Sequence, residues 1–382
     1  MSDRTRVGII GASPERGWAS RAHIPALRAL PEFELTAVGT SRRESAEQAA
    51  RVFGAAYAFS DARALAEHPE VDLVVITVKV PAHAELIGIA IAAGKHVYSE
   101  WPLTRTTAEA EELVELTVNS GRHHVVGLQA RFSRAVEHAR TLLSEGYVGN
   151  VVSATVYSAR GKGVGGRIPE WAAYTVDIDN GAGLLEVVGG HTLDPVEYLL
   201  GDIAELSADL AIRHPHTIIA ETQETIRVTS PDHLLLSGVA EGGVVVSVHM
   251  HDAKLTDGRT RIEISGTEGD LALVSDGPSG AGGIQMSDLR LLGSRGAGGT
   301  WQDLTGPGAK SADELPTESR HVAALYSQLA VDLRTGEQTI PSFETGLHMH
   351  RLLDAIRRSA ETGTRVQTDS NPSIRLTPGA DA

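Results

Sequence analysis

Cysteine is absent from all 382 residues, which removes disulfides, thiolate nucleophiles and zinc–thiolate centres from consideration and is compatible with a reducing compartment. No run of about 18 uncharged apolar residues occurs. The opening MSDRTRVGII passes directly into an apolar strand without the layout of a secretory signal. The expectation is a soluble, cytoplasmic protein with no membrane partner. Positive charge is scarce: 34 Lys and Arg against 49 Asp and Glu leave a formal net charge of -15. Such a surface repels phosphate backbones, so no nucleic-acid partner is expected. No internal repeat and no metal-ligand set is read. Apolar content, at 41%, is ample for two or three domains with sizeable cores.

From Arg4 to about Tyr147 short β-branched runs alternate with helical stretches. TRVGII, FELTAVGT, VDLVVITV, KHVYS and HHVVGLQ read as strands; RAHIPALRAL, ESAEQAARVFG, AHAELIGIAIAAG and TAEAEELVELTVNSG read as helices. Alternation of this kind implies a parallel sheet with right-handed crossovers, a doubly wound α/β domain over residues 1–148. After Gly149 the rhythm changes. VVSATVYSAR, ETIRVTS, HLLLSGVA, GVVVSVHMH, RIEISG and DLALVS are strands separated by turn residues, predicting a mostly antiparallel sheet domain over 149–382. HVAALYSQLAVDLRTG and GLHMHRLLDAIRRSAETG read as helices packing back on the body. GKGVGG and GPSGAGG read as loops, and the tail after Gln367 reads as frayed.

Gly8 and Gly11, at the end of the first strand, precede a helix. Glycine at such a turn lets backbone approach a pyrophosphate, and the helix start offers free N–H groups. The G-x-G-x-x-G pattern is incomplete: Ser13 takes the second glycine position, and an insertion around Pro14 to Arg16 delays Gly17. A strand-ending turn without a ligand is the alternative. The second strand ends at Thr40, Ser41, Arg42 and Arg43, where an NAD-specific protein would offer an acidic residue to the ribose. Hydroxyls with an arginine suit a 2′-phosphate; equally, both arginines would open the next helix in water.

The glycine turn, HIPAL, PAHAELIGIAIAAGKHVYSEWPL and GAGLLEVVGGHTLDPVEYLLG together resemble the Gfo/Idh/MocA oxidoreductase family over about Arg4 to Ser275. TVKVPAH, EWPL and GGHTLD are most similar to the branch of the galactose-regulon repressor and its bacterial relatives. The resemblance implies a Rossmann domain followed by an open-faced, mostly antiparallel β-sheet (α+β) domain, with NAD or NADP acting on sugars and cyclitols. It further implies a homo-oligomer, since the open sheet face of such folds usually pairs with another subunit. The residues expected to line the cofactor are Gly8, Gly11, Ala12, Ser13, Trp18, Ser41, Arg42, Val78, Val80, His83, Glu100, Trp101, Pro102 and Gln129.

Two departures from the family pattern stand out. Glu100, Trp101 and Pro102 occupy the family's Glu-Lys-Pro, so the lysine that holds the reacting hydroxyl is replaced by an indole. Val187 stands where an aspartate would precede His191. Asp194, three residues beyond His191, reads as an orienter of that imidazole or as a helix cap. Lys79 introduces a new cation after the strand VDLVVIT, either facing the cofactor or as a solvent-reaching strand end.

Hydride transfer from a sugar carbon needs a base for the hydroxyl proton, and an imidazole such as His191 serves without a lysine; the structural alternative is a histidine satisfied as a cap. Trp101 offers an apolar platform for a sugar ring or simply fills the core. Tyr157, Arg160, Lys162, Arg167, Trp171 and Tyr174 cluster just before the histidine segment, a region that lines the sugar site in the resembling family. Three cations among glycines would recognise an anionic sugar such as a uronate or sulfonate. Expected catalytic groups are His191, Lys79, Tyr174 and Asp194. Three functions fit: a sugar oxidoreductase; an NAD-dependent glycoside hydrolase working by transient ring oxidation, elimination, water addition and re-reduction; and a dinucleotide-binding regulator without turnover. The partner is accordingly a small-molecule sugar or glycoside.

Overall fold

A computed structural model describes residues 4–15, 17–162, 165–275, 283–306 and 315–369. Of the stretches read as loops, GPSGAGG apart from Gly283, residues 163–164 within GKGVGG, Arg16 of the insertion, and the tail from 370 lie outside them. Two compact units are formed by residues 1–132 with 308–347, and by 133–307 with 348–382.

The first unit holds six parallel strands, β1 (Thr5–Ile10), β2 (Phe33–Gly39), β3 (Tyr57–Phe59), β4 (Leu73–Ile76), β5 (His96–Glu100) and β6 (His124–Gly127), in the order β3-β2-β1-β4-β5-β6. The apolar run of β4 is buried at every position, because a sheet clothed by helices on both faces leaves neither side of a strand in water. A π-helical turn, Ala19–His23, leads into α1 (Ile24–Arg28); α2 (Arg43–Phe53), α3 (Ala62–Glu67), α4 (His83–Ala92) and α5 (Thr107–Thr117) make the later crossovers. The short pair β3 and α3 escapes periodicity. α3 has only six residues and is held by its cap, Ala64 N–H donating to Asp61 Oδ1 at 2.7 Å.

In the second unit β7 (Val151–Ala159) begins a sheet completed by β9 (Ile203–Ala211), β12 (His233–Ala240), β13 (Val245–His251), β14 (Arg259–Gly266), β15 (Gly269–Ser275), β16 (Leu289–Arg295), β17 (Gln302–Asp303) and β18 (Val366–Gln367). Every pairing in it is antiparallel except β7 with β13. A smaller sheet joins β8 (Arg167–Ile168), β10 (His216–Ile219) and β11 (Thr225–Arg227). Strict alternation buries Val156, Leu236, Val248 and Ile264 on one face and leaves Leu235 and Val245 exposed on the other. The helices of this unit are α6 (Arg134–Ser144) and α7 (Gly190–Leu200). α6 packs on β15, β16 and α7, which moves the division between units to 132/133, ahead of the expected 148/149. α8 (Thr317–Thr335) returns to the first unit, adding Val322, Leu325, Tyr326 and Leu329 to the core around β1. α9 (Phe343–Thr362) is divided at Leu347/His348.

Gly11 has φ +99, and a Cβ there would lie 2.8 Å from Thr77 Oγ1 and 2.9 Å from Val78 Cγ1. Gly11→Ala combines a left-handed backbone with a clash, so urea unfolding should show a loss of about 2 kcal/mol or more. A second expectation concerns acid. Burial lowers His124 and His350 to about 4 and His191 to about 3. Each is neutral when folded and protonated when unfolded between its folded value and the ordinary 6.5. The unfolded chain therefore binds more protons, and stability falls as pH drops through that window, by roughly 1.4 kcal/mol per pH unit for each histidine. A midpoint urea concentration unchanged between pH 7 and pH 4.5 would contradict it.

Candidate functional site

The turn after β1 is built by converging strand ends. Gly11 N–H donates to Gly39 O at 2.9 Å, Ala12 N–H donates to the same carbonyl at 3.3 Å, and Thr77 caps Ile10 O through both its N–H and its hydroxyl, each at 3.0 Å. Gly11 must therefore pass against Thr77 and Val78 with no side chain of its own. Gly8 plays another part: it lies within β1, and a Cβ there would meet Leu65 at 2.8 Å, so it seats α3 against the strand. Ala12 is fully buried, Ser13 is half-buried, and Trp18 is half-buried against the core with its Nε1 lacking a partner among the described residues.

At the end of β2, Thr40 is already used: its hydroxyl donates to Arg42 O at 2.9 Å and lies 2.6 Å from Ser45 Oγ. Arg43 pairs with Glu47, while Ser41 and Arg42 stand exposed at the start of α2. Beyond β4, Val78 is half-buried, Lys79 is exposed and Val80 is buried. His83 is sealed, with Nδ1 2.9 Å from Pro102 O and Nε2 3.0 Å from Val78 O. Desolvation holds its pKa down, so the neutral ring donates to one of these two carbonyls while it packs between the β4 and β5 exits.

Glu100 is oriented by residues remote in sequence. His23 Nε2–H donates to Glu100 Oε1 at 2.8 Å, which leaves Nδ1 to accept from the Tyr326 hydroxyl, also at 2.8 Å. Gly127 makes room for that carboxylate, since a Cβ there would lie 2.8 Å from Glu100 Oε1. Burial, reinforced by the charge of Glu100, pushes the Tyr98 and Tyr326 phenols well above their ordinary range. Pro102 follows a cis peptide and is buried. Trp101 is only 5% exposed, as the core-filling alternative requires. Gln129 is fully buried, and neither Nε2 nor Oε1 of its carboxamide has a hydrogen-bond partner among the described residues. Unsatisfied buried amides are costly, so a partner beyond the described residues, whether a bound water or a ligand, would recover that cost.

In the second unit His191 is 4% exposed and its Nδ1 has no partner among the described residues. Desolvation, assisted by the Arg160 charge, lowers its pKa to about 3. The expectation that Asp194 caps a helix is corrected, and it does not bond the imidazole Nδ1: Asp194 is fully buried inside α7. Neither residue opens a helix, because a π-helical stretch, Leu184–Gly189, runs straight into α7. The group beside Val187 is Glu186, whose Oε2 accepts from Gly183 N–H at 2.9 Å and whose Oε1 pairs with Arg357.

The expected sugar-lining cluster divides. Arg160 is bound to Asp252 by two bonds of 2.8 and 2.9 Å. Lys162 donates to Thr175 Oγ1, and burial of its ammonium lowers the pKa to about 8. Tyr174 is half-buried with its phenol raised by desolvation, and Trp171 is exposed. Arg167 is exposed and donates to Gln223 Oε1 at 3.0 Å. Tyr157 stands apart: register pairs it with His249 on β13, and its ring stacks edge-on against His249 and His251 on the sheet face opposite buried Val156. Elsewhere in the unit His348, Glu197 and Asp202 are buried together, with His348 Nε2 2.8 Å from Glu197 Oε2 and 3.7 Å from Asp202 Oδ1. Glu197 Oε1 accepts from Ile203 N–H, so the triad fastens α7 and α9.

Asp252, Glu186, His23 and Tyr326 carry roles that sequence reasoning missed. His23 and Glu186 stand within stretches that carry the family resemblance, HIPAL and GAGLLEVVGGHTLDPVEYLLG, whereas Asp252 and Tyr326 do not.

A dinucleotide fits the first unit on two observations, the space a Cβ at Gly11 would fill and the orphaned Gln129 carboxamide. Comparison with known proteins agrees. Residues 5–128 match the oxidoreductase family with an NAD-binding Rossmann fold, and residues 135–275 match the Gal80p C-terminal domain. Dehydrogenase aclE of Aspergillus oryzae is 29% identical over 378 residues, 95% of this chain and 98% of that protein. The galactose/lactose metabolism regulatory protein GAL80 of Kluyveromyces lactis is 30% identical over 308 residues, 75% of this chain and 66% of that protein. Levoglucosan dehydrogenase of Pseudarthrobacter phenanthrenivorans is 27% identical over 295 residues, 69% and 72% of the two chains. A solved levoglucosan dehydrogenase in complex with NADH and levoglucosan shares the fold, with a TM-score of 0.82 at 22% identity, covering 96% of this chain and 99% of that one. With its paralleled strand order, its glycine turn and matches spanning both units, the chain belongs to the Gfo/Idh/MocA oxidoreductase family, on a branch whose C-terminal domain is of the Gal80p kind.

Proposed function

We propose that this protein is a nicotinamide-dependent sugar oxidoreductase in which His191 accepts the proton of the reacting hydroxyl. The observation that carries the reading is a neutral, buried imidazole whose Nδ1 has no partner of its own. Its pKa of about 3 leaves it unprotonated at working pH, but a base so depressed accepts a proton poorly, so the reading requires that bound substrate raise it toward neutrality by hydrogen bonding to the ring and offsetting the Arg160 charge. Bound nicotinamide would supply the hydride acceptor. The backbone at Gly11 would take the pyrophosphate, and Gln129 would give an amide donor and acceptor. Ser41 and Arg42 would contact the ribose or its 2′-phosphate, so NAD and NADP are both accommodated. Alignment with named dehydrogenases over nearly the whole chain supports this reading. The exposed sheet face bearing Leu235 and Val245 would pair with a second copy.

A second reading, a dinucleotide-binding regulator, is favoured by the GAL80 likeness and by Trp101 and Val187 at the positions of the family's lysine and aspartate.

Incubation with sugars and nitrophenyl glycosides, with and without NAD and NADP, tests the proposal. Stoichiometric reduced cofactor is expected. Phenol release on catalytic NAD would instead indicate redox-assisted hydrolysis, and cofactor binding without either product would favour the regulator. His191→Asn should lower kcat by roughly 10²–10⁴-fold while leaving the fold intact. Because the imidazole is already neutral, kcat/KM should stay flat from pH 5 to 7; an acid limb near 6.5 would contradict a desolvated base. Arg42→Ala should weaken NADP binding by about tenfold and NAD binding little, as losing one exposed charge-assisted contact implies.

A further inference from the structure

A second cavity-lining group in the C-terminal unit is unexplained by hydride transfer. A cavity of about 60 Å³ is walled by Ile168, Leu184 and Val228 and lined by Lys162, Thr217 and Ser230. It has room for several waters or one small polyatomic group. Thr217 is 6% exposed and Ser230 is 3% exposed. Neither hydroxyl has a hydrogen-bond partner among the described residues. The ammonium of Lys162 carries three N–H donors. Its hydrogen bond here goes to the Thr175 hydroxyl, which in turn donates to Ala172 O. An ammonium and two orphaned hydroxyls thus border one pocket.

The surrounding charges decide the sign of what belongs there. Asp252 lines the cavity but is matched by Arg160. Glu186, close enough to act on Lys162, is matched by Arg357. Asp232, also lining it, accepts from Arg213 N–H at 2.9 Å, His214 N–H at 3.0 Å and His233 Nδ1 at 2.7 Å. Asp252 and Glu186 are thus paired with arginines, and Asp232 is hydrogen-bonded by backbone N–H groups and histidine; Lys162 is the one Lys or Arg among the described residues lining the cavity, and its ammonium bonds to no carboxylate. His214 and His216, both exposed, also line the pocket and give it a route to solvent.

We propose that this cavity is a carboxylate-binding subsite, in which Lys162 provides the charge and Thr217 and Ser230 donate to the carboxylate oxygens. The carboxylate belongs to a sugar acid or to a free small organic anion. The former rests on the sugar oxidoreductase reading; the latter does not. Arg160 and Arg167 take no part, the one being committed to Asp252 and the other exposed beside Gln223. A desolvated ammonium is also weakly held in its charged form, with a pKa of about 8. An anion seated beside it would raise that value, so binding is strongest below about 8 and weakens progressively as pH rises above it.

Calorimetry without cofactor, at constant ionic strength, would compare acetate, glucuronate and glucose. Wild-type protein should bind glucuronate, and Lys162→Met should weaken it at least tenfold while leaving its own melting temperature unchanged or higher. Ser230→Ala and Thr217→Val, which keep the ammonium, should each weaken it several-fold and serve if Lys162→Met fails to fold. Acetate binding as well would identify a free-anion site, and glucuronate alone a substrate substituent; either supports the subsite. Carboxylates that bind no better than glucose, or that bind Lys162→Met as well as wild type, would overturn it. Loss of turnover with carboxylate binding intact would count against the oxidoreductase reading alone.

Discussion

Three strand ends are tied at one point, and the rest of the nucleotide half follows from it. Carbonyls of Ile10 and Gly39 take donors from Thr77, Gly11 and Ala12, so the backbone after β1 has nowhere to go except across Thr77 and Val78 with a positive φ. β1 sits between β2 and β4, where the order of the sheet reverses direction, and a crevice at that reversal is where open α/β sheets take ligands. The glycine is thus a consequence of strand order as much as of ligand binding. Its neighbour Gly8 answers to a different demand, close packing on Leu65 and Val71.

Around that point the first unit fixes polar groups by bonds between remote segments. Glu100 is held through His23 by Tyr326, which lies on α8, beyond the whole second unit in the chain. The second unit shows the same economy of charge. Arg160 with Asp252, Arg357 with Glu186 and His348 with Glu197 are matched pairs. Against this background unmatched groups stand out, among them the His191 imidazole, the Lys162 ammonium, the Gln129 carboxamide and the Thr217 and Ser230 hydroxyls. Burial makes these atoms expensive to leave unpaired. They are where a ligand would recover the most energy, and burial also sets the protonation states on which their chemistry depends.

The alternation of strands and helices up to β6, the change to antiparallel pairing after Gly149, and the two terminal helices were all readable, because each rests on a local hydrophobic period. β3 and α3 were too short to show one, and β9 is diluted by alanine and acidic residues. At the candidate site, the family pattern pointed to His191, Glu100 and Gln129. Their surroundings were not legible: Asp194 does not reach the imidazole Nδ1, Tyr157 lies on the sheet face opposite Val156, and Arg160 is bound to Asp252.

By itself the sequence determined the class of fold, the position of the glycine turn and the acidic, cysteine-free character of the chain, since these depend on composition, periodicity and backbone freedom within a few residues. Tertiary structure alone decided which ionisable groups are neutralised and which are left over. Asp252 meets Arg160, Tyr326 meets His23, and Thr217 and Ser230 meet around one cavity with Lys162, although in each case many residues separate them along the chain. Charge compensation and desolvation are properties of distance in space, and no local pattern of residues encodes them.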